Sequence, residues 1–220
     1  MKQHILIIAA LLFSLSSCGN SEATLQNETV FKKMDTTNNS TNKMIDTLTI
    51  GGGCFWCVEA QLQQLNGVLT VTSGYAGGNS KNPTYKEVCT GLTGHAEVIQ
   101  VTFDNSIISL DEMLSAFWQA HDPTQLNRQG NDVGTQYRSV IFYRNDEQKK
   151  IAEDYKKKLN DEKVYDKSVV TEISPLTTFY SGEEYHQNYY NQNASQGYCQ
   201  FVITPKLDKF KKVFKDKLKK

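Results

Sequence analysis

From Ile45 onward, apolar positions alternate between short runs of period two and stripes of helical period. Leu48-Thr49-Ile50 reads as a short strand running into Gly51-Gly52-Gly53. Val58, Leu62 and Leu65 form one apolar stripe at helical spacing, and Asn66-Gly67 stops it. Val68 to Thr72 and Glu97 to Phe103 alternate as strands. Ser109 with Glu112 is a capping box opening a helix whose stripe is Leu110, Met113, Leu114 and Phe117. Ser139 to Tyr143 reads as a strand, Asn145 caps a helix carrying Ile151, Tyr155 and Leu159, and Val169 to Ile173 is a further strand. Glu183 to Asn191 is predicted helical, and Gln200-Phe201-Val202-Ile203 is strand-like. Thr204-Pro205 reads as an N-cap with proline at the first helical position, followed by Leu207, Phe210, Phe214 and Leu218 on one side. Strands and helices interleave without a repeat. The prediction is a single α+β domain over residues 45–220, a mixed β-sheet flanked by helices.

The region before Ile45 has a different pattern. Ile5 to Leu15 is an apolar run preceded by Lys2. Eleven residues are too few to span a bilayer as a helix but suit the core of a secretory signal. Leu15-Ser16-Ser17-Cys18 resembles the lipobox of bacterial lipoproteins. That resemblance implies that residues 1–17 are a signal peptide and that Cys18 is acylated, anchoring the protein on the extracytoplasmic face of a bacterial membrane. The competing reading is an ordinary cleaved signal with Cys18 lost. Residues 18–44 are rich in Ser, Thr, Asn, Glu and Lys and show no period, so a disordered tether is expected. About 26 such residues reach roughly 30 Å on average.

Charge narrows the function. Lys+Arg and Asp+Glu are both 24, so the chain lacks the basic excess of an electrostatic nucleic-acid binder. Eight lysines from Lys206 onward suit either an anionic membrane surface or, more simply, a solvated helix face.

Five cysteines leave at least one outside any intramolecular disulfide. Cys54 follows three glycines where strand gives way to helix, so unpaired N–H groups and the helix dipole favour a thiolate there. Its pKa is expected below the ordinary ~8.5. The glycines are expected to let substrate approach closely. Cys57 lies one turn on, and a C-x-x-C pair at a helix start marks redox chemistry. Thioredoxin-like exchange is one reading, although the bulky Phe55-Trp56 pair suits an apolar ligand better than a protein disulfide. Half of a zinc site is another, with Cys89 and His95 as its only completion. The third is a thiol enzyme that reduces a peroxide or sulfoxide.

Gly53-Cys54-Phe55-Trp56-Cys57, Gly74-Tyr75-Ala76-Gly77-Gly78, Asn82-Pro83-Thr84-Tyr85, Gly94-His95-Ala96-Glu97, the run from Gly130 to Ser139 and Gly197-Tyr198-Cys199 together resemble the motif series of the A-type peptide methionine sulfoxide reductases. The resemblance covers the chain after the tether. It implies a ferredoxin-like βαβ core and reduction of the S epimer of methionine sulfoxide, free or in proteins. It assigns Cys54 as nucleophile and Glu97 as acid, while Tyr85 and Tyr137 donate to the sulfoxide oxygen and Asp132 orders the site. Burial at the rim of an apolar strand face would keep Glu97 protonated, whereas the residues alone fit a solvated strand-edge carboxylate more simply. Phe55 and Trp56 are expected to form the slot for the substrate methyl group, their plainer role being core packing, and Tyr198 matches a further site residue.

A sulfenic acid on Cys54 needs a resolving thiol, which is Cys57 by helical proximity or Cys199 by its matching position. A strand at Gln200–Ile203 would hold Cys199 in place, which favours Cys57. Cys89 is expected to be a buried thiol without a role, and His121 and His186 to be structural. No metal or organic cofactor is required. A thioredoxin-like protein is the expected reductant, and a monomer the expected state. A membrane-anchored general thiol–disulfide oxidoreductase and a non-enzymatic module that binds oxidised methionine are the alternatives.

Overall fold

The computed structural model describes residues 45–220. The predicted signal segment, Cys18 and the expected tether, residues 1–44, lie outside the described residues.

The chain runs through β1 (Ile45–Gly51), α1 (Phe55–Leu62), β2 (Val68–Ala76), α2 (Tyr85–Cys89), β3 (Ala96–Asp104) and α3 (Leu110–Ala120). The short strands β4 (Arg128–Gln129) and β5 (Asp132–Val133) form a hairpin of their own. Then come β6 (Val140–Tyr143), α4 (Asp146–Asp161), β7 (Glu172–Pro175), β8 (Phe179–Ser181), α5 (Tyr189–Asn193) and α6 (Thr204–Val213).

Six strands pair in the order β7-β6-β1-β3-β2-β8. β3 is antiparallel to both β1 and β2, β6 is antiparallel to β1, and β7 joins β6 in parallel. The fold is α+β with a mixed sheet. Its inner four strands, β6-β1-β3-β2, are linked by two crossovers, one through α1 and one through α3. This is the ferredoxin-like arrangement. The register sets Ile50 opposite Ile99 and Leu48 opposite Val101. These residues and Phe103 are buried against Leu62, Leu65, Phe117 and Trp118. The capping box at Ser109 forms as its sequence predicts: Ser109 Oγ accepts from the Glu112 N–H, and Glu112 accepts from the Ser109 N–H at 2.7 Å.

Several elements differ from the sequence pattern. Glu183 to Asn191 is not one helix. A 3₁₀ turn at Glu184–His186 is separated from α5 by Asn188 in the left-handed region, φ +50°. Gln200–Ile203 is not a strand but part of a π-helical turn, Cys199–Ile203, that runs directly into α6. Thr204 is therefore inside the helix rather than its cap. Pro205 lacks an N–H and crowds the preceding turn, and a widened turn relieves that crowding. The Thr204 N–H and hydroxyl both donate to the Cys199 carbonyl, the latter at 3.0 Å. Leu218 is off the final helix and bridges to Leu65. The strand predicted from Val169 begins at Glu172, because the Val170 N–H is taken by the Pro123 carbonyl.

Candidate active site

The strand-to-helix junction after β1 builds the centre of the site. Gly53 has φ +84°, and a Cβ there would stand 2.6 Å from Gln129 Cβ. A Cβ on Gly51 would stand 2.5 Å from the Glu97 carbonyl. The glycines therefore admit neighbouring protein rather than substrate, which corrects the expectation. They draw β3 and the β4 loop against the start of α1.

Cys54 occupies the cap position of α1, and Cys57 donates its N–H to the Cys54 carbonyl at 3.0 Å. Both cysteines are free and buried, Cys54 at 6% exposure and Cys57 at 2%. Their side chains share a hydrogen bond, and the Tyr198 hydroxyl lies 4.0 Å from Cys57 Sγ. Burial pushes the Cys54 thiol well above its ordinary value. The hydrogen bond from Cys54 holds Cys57 below its own, aided by Lys206, whose Nζ lies 3.8 Å from Cys57 Sγ. This reverses the sequence expectation for Cys54. Desolvation of a charge outweighs the partial charge of a two-turn helix in so dry a place. Of the two thiols, Cys57 is therefore the one that loses its proton more easily.

Glu97, the second residue of β3, is 1% exposed. Its Oε2 accepts from the Phe55 N–H at 3.1 Å, while Oε1 has no hydrogen-bond partner among the described residues. Burial pushes its pKa up to about 8, opposed by the Phe55 bond and assisted by the charges of Asp132 and Cys57. Glu97 is therefore mostly protonated at neutral pH, the reading that the resemblance favoured over a solvated strand-edge carboxylate.

Around this acid stand the tyrosines. Tyr85 begins α2, which a capping box between Thr84 and Glu87 initiates. Tyr137 ends a 3₁₀ turn, Thr135–Tyr137. Burial and the Glu97 charge both raise these two phenols, so each stays a neutral O–H donor. Tyr198 donates to Asp132 Oδ2 at 2.8 Å. Phe55 is buried with its ring roughly parallel to Tyr85 at 6.4 Å, and half-buried Trp56 stacks on Tyr189 at 3.7 Å and 7°.

Cys199 is fully buried, and its carbonyl is held by Thr204. Cys89 is exposed rather than buried, since α2 turns that side outward; its thiol meets the Tyr85 hydroxyl. His95, the other half of the zinc reading, is occupied by backbone. Its Nδ1 accepts from the Gly78 N–H at 3.1 Å, and its Nε2 meets the Ser80 carbonyl at 2.8 Å. His121 bridges the Phe117 carbonyl at 2.9 Å and Ser139 Oγ at 2.7 Å, a structural role.

Four residues of the site were not singled out from sequence. Glu183 accepts from the Tyr75 hydroxyl and the Tyr85 N–H, both at 2.8 Å. Glu59, fully buried, accepts from the Asn188 and Tyr189 N–H groups at 2.8 and 3.2 Å, and so seats Tyr189 against Trp56. Tyr189 and Lys206 complete the set. Nothing local marks them, because each acts across more than ninety residues of chain.

The cysteine pair, the neutral acid and the phenols stand together at the start of α1. Residues 46–218 match the family model described as peptide methionine sulfoxide reductase. The chain belongs to that family.

This reductase is 54% identical over 175 residues to the peptide methionine sulfoxide reductase MsrA of Saccharolobus solfataricus, covering 80% of this chain and 98% of the relative. It is 56% identical over 170 residues to an MsrA of Acinetobacter baumannii, covering 76% and 96%. Among solved structures, it resembles methionine sulfoxide reductase A of Corynebacterium diphtheriae with TM-score 0.64 and 38% identity, over 73% of this chain and 80% of that one. Reduced Mxr1 of Saccharomyces cerevisiae gives TM-score 0.65 and 33% identity, over 74% and 93%. The reductase is thus an oxidoreductase acting on methionine sulfoxide.

Proposed function

We propose that this protein reduces the S epimer of methionine sulfoxide through Cys54, with Glu97 as acid and Cys57 as resolving thiol. The observation that carries this reading is Glu97: a buried, protonated carboxyl held by the backbone of the residue after the nucleophile. With Oε2 engaged by Phe55, Oε1 is left to present the O–H to the sulfoxide oxygen. Tyr85 and Tyr137 add neutral donors to the same oxygen, and Asp132 orders the site by holding Tyr198. Phe55, Trp56 and Tyr198 supply the apolar and sulfur–aromatic contacts for the methyl group.

When substrate enters, Cys54 passes its proton along the shared hydrogen bond to Cys57 and attacks the sulfoxide sulfur. The S=O bond breaks and oxygen is transferred to Cys54. The substrate sulfur gains two electrons, leaving as methionine, and Cys54 becomes a sulfenic acid. Cys57 then attacks Cys54, the S–O bond breaks, water leaves and a disulfide forms. A thioredoxin-like dithiol reopens it by exchange, becoming oxidised itself. Cys199, enclosed in its helical turn, is the less suited resolving thiol.

The lipobox resemblance supports the second half of the reading: a lipid anchor at Cys18 holds the enzyme on the outer side of a bacterial membrane, where it repairs oxidised proteins. Turnover of separated R and S sulfoxides with dithiothreitol tests the chemistry. Consumption of S alone, abolished by Cys54→Ser, is expected, and turnover of neither epimer would overturn it. Fatty-acid labelling lost in Cys18→Ala, with release from membranes, tests the anchor.

A further inference from the structure

Lys206 enters the sequence reading only as the first of the C-terminal lysines, yet among the described residues it is the cation in contact with the reactive pair. It lies 149 residues from Cys57, half-buried on α6, with Nζ 3.8 Å from Cys57 Sγ. We propose that Lys206 is a positioning residue for disulfide closure, its ammonium pairing with the Cys57 sulfur and holding it ready to attack oxidised Cys54. The proposal rests on the reading that Cys57 resolves.

The architecture brings the cation there. The π-helical turn before α6 is closed by Thr204, whose hydroxyl also meets the Tyr190 hydroxyl at 3.0 Å. α6 then packs on α1, and its Leu207 and Phe210 are buried. Lys206 also borders a cavity of about 270 Å³ with Gln61, His121, Gln129 and Lys209. A lysine stem therefore has room to follow the sulfur when the site rearranges.

Among the described residues, five groups besides Lys206 face Cys57: the Cys54 thiol, the Tyr198 hydroxyl, the Asp132 carboxylate, the Glu97 carboxyl and the Cys199 thiol. None of these is a cation. Asp132 opposes a negative sulfur, and Cys54 ceases to donate a thiol hydrogen once it carries oxygen. At that moment Lys206 is the remaining charged support for the resolving thiolate. Cys57 first yields the proton it took from Cys54 to Glu97, which the first step left ionised; Cys57 S⁻ then attacks the Cys54 sulfur, the S–O bond breaks, and hydroxide leaves as water with that proton. No further oxidant or reductant is needed.

Loss of an opposite charge at this distance shifts a thiol by about one to two pKa units, while intrinsic nucleophilicity rises in partial compensation. Closure is therefore expected to slow about 3- to 10-fold near neutral pH.

The test is a rapid-quench single turnover of the full reduced protein with one equivalent of methionine sulfoxide, counting methionine released and thiols lost. In Lys206→Met, whatever methionine release does, the interval from methionine release to thiol loss lengthens, the deficit closes as pH rises toward 10, and Lys206→Arg restores it. Lys206→Gln repeats the test with a polar neutral side chain. An unchanged interval between methionine release and closure in both neutral variants, or failure of arginine to rescue, would each overturn the proposal. Peptide mapping of the wild-type disulfide separates the two levels. A Cys54–Cys199 bond refutes the Cys57 reading itself, whereas a Cys54–Cys57 bond with unaltered closure refutes only the role of Lys206.

Discussion

Glu97 and Phe55 are joined by a single hydrogen bond, 3.1 Å from the Phe55 N–H to Oε2, and this is the only hydrogen bond to the carboxyl among the described residues. The fold thus carries an acid that it stabilises poorly as an anion. With a pKa of about 8 in the fold and ~4.3 unfolded, Glu97 binds more protons folded than unfolded throughout that interval. Stability must then fall as pH rises from about 4.5 to about 8, at about 1.4 kcal/mol per unit at most and roughly 4–5 kcal/mol in all. Glu97→Gln is expected to melt higher than wild type, with a gap that widens across this interval, while turnover falls about 10²- to 10⁴-fold. Thermal melts at several pH values check it; a gap that does not change with pH would contradict a neutral buried acid.

His121 supplies the opposite slope. Burial lowers its pKa to about 4, so the unfolded state binds the extra proton between about 4 and 6.5. Its contribution to stability is full above 6.5 and is lost as pH falls toward 4, about 3 kcal/mol in all. Between about 4.5 and 6.5 the two groups cancel, leaving a plateau that His121→Gln should tilt so that stability there falls with rising pH. Chemical denaturation across pH 4–7 reads the tilt, and an unchanged plateau would deny His121 this part.

The resolving thiol is testable by deletion. After one turnover, Cys199→Ser is expected to close a Cys54–Cys57 disulfide in full yield, whereas Cys57→Ser retains a sulfenic acid that dimedone traps. Full disulfide yield in Cys57→Ser would transfer the role to Cys199.

Tyr189 is predicted to shape binding rather than chemistry. Its ring lies against Trp56 at 3.7 Å, and such pairs contribute about 0.5–1.5 kcal/mol beyond area burial. Tyr189→Leu should raise KM about 2- to 10-fold with kcat nearly kept. Steady-state kinetics decide it; a fall confined to kcat would place Tyr189 in the chemical step instead.

Much of this was legible because it is local. The period-two runs at Leu48–Ile50 and Glu97–Phe103 became the central strands, and the Ser109–Glu112 capping box formed as written. The apolar strand neighbours of Glu97 at period two fit a buried acid and a solvated strand-edge carboxylate alike, and only the resemblance pointed to the acid. The failures have physical causes. The apolar run at Gln200–Ile203 satisfies strand and helix patterns alike, and tertiary packing chose a π-helical turn that also accommodates Pro205. Asn188 interrupts its predicted helix because Glu59, distant in sequence, captures two backbone N–H groups there. The Cys54 thiol was misjudged because its dipole environment is visible in sequence whereas its desolvation is not.

The stack of Trp56 on Tyr189 also endows the protein with its own optical reporter. Only two tryptophans are present, and Trp118 is sealed in the core, so its emission is insulated from events at the reactive pair. Trp56 belongs to the helical turn that carries both sulfurs and meets the Tyr198 ring edge-on at 6.0 Å. Closing a bond between those sulfurs changes the quenchers around one indole and leaves the other as an internal standard. Intrinsic fluorescence can thereby follow each catalytic cycle without any added dye.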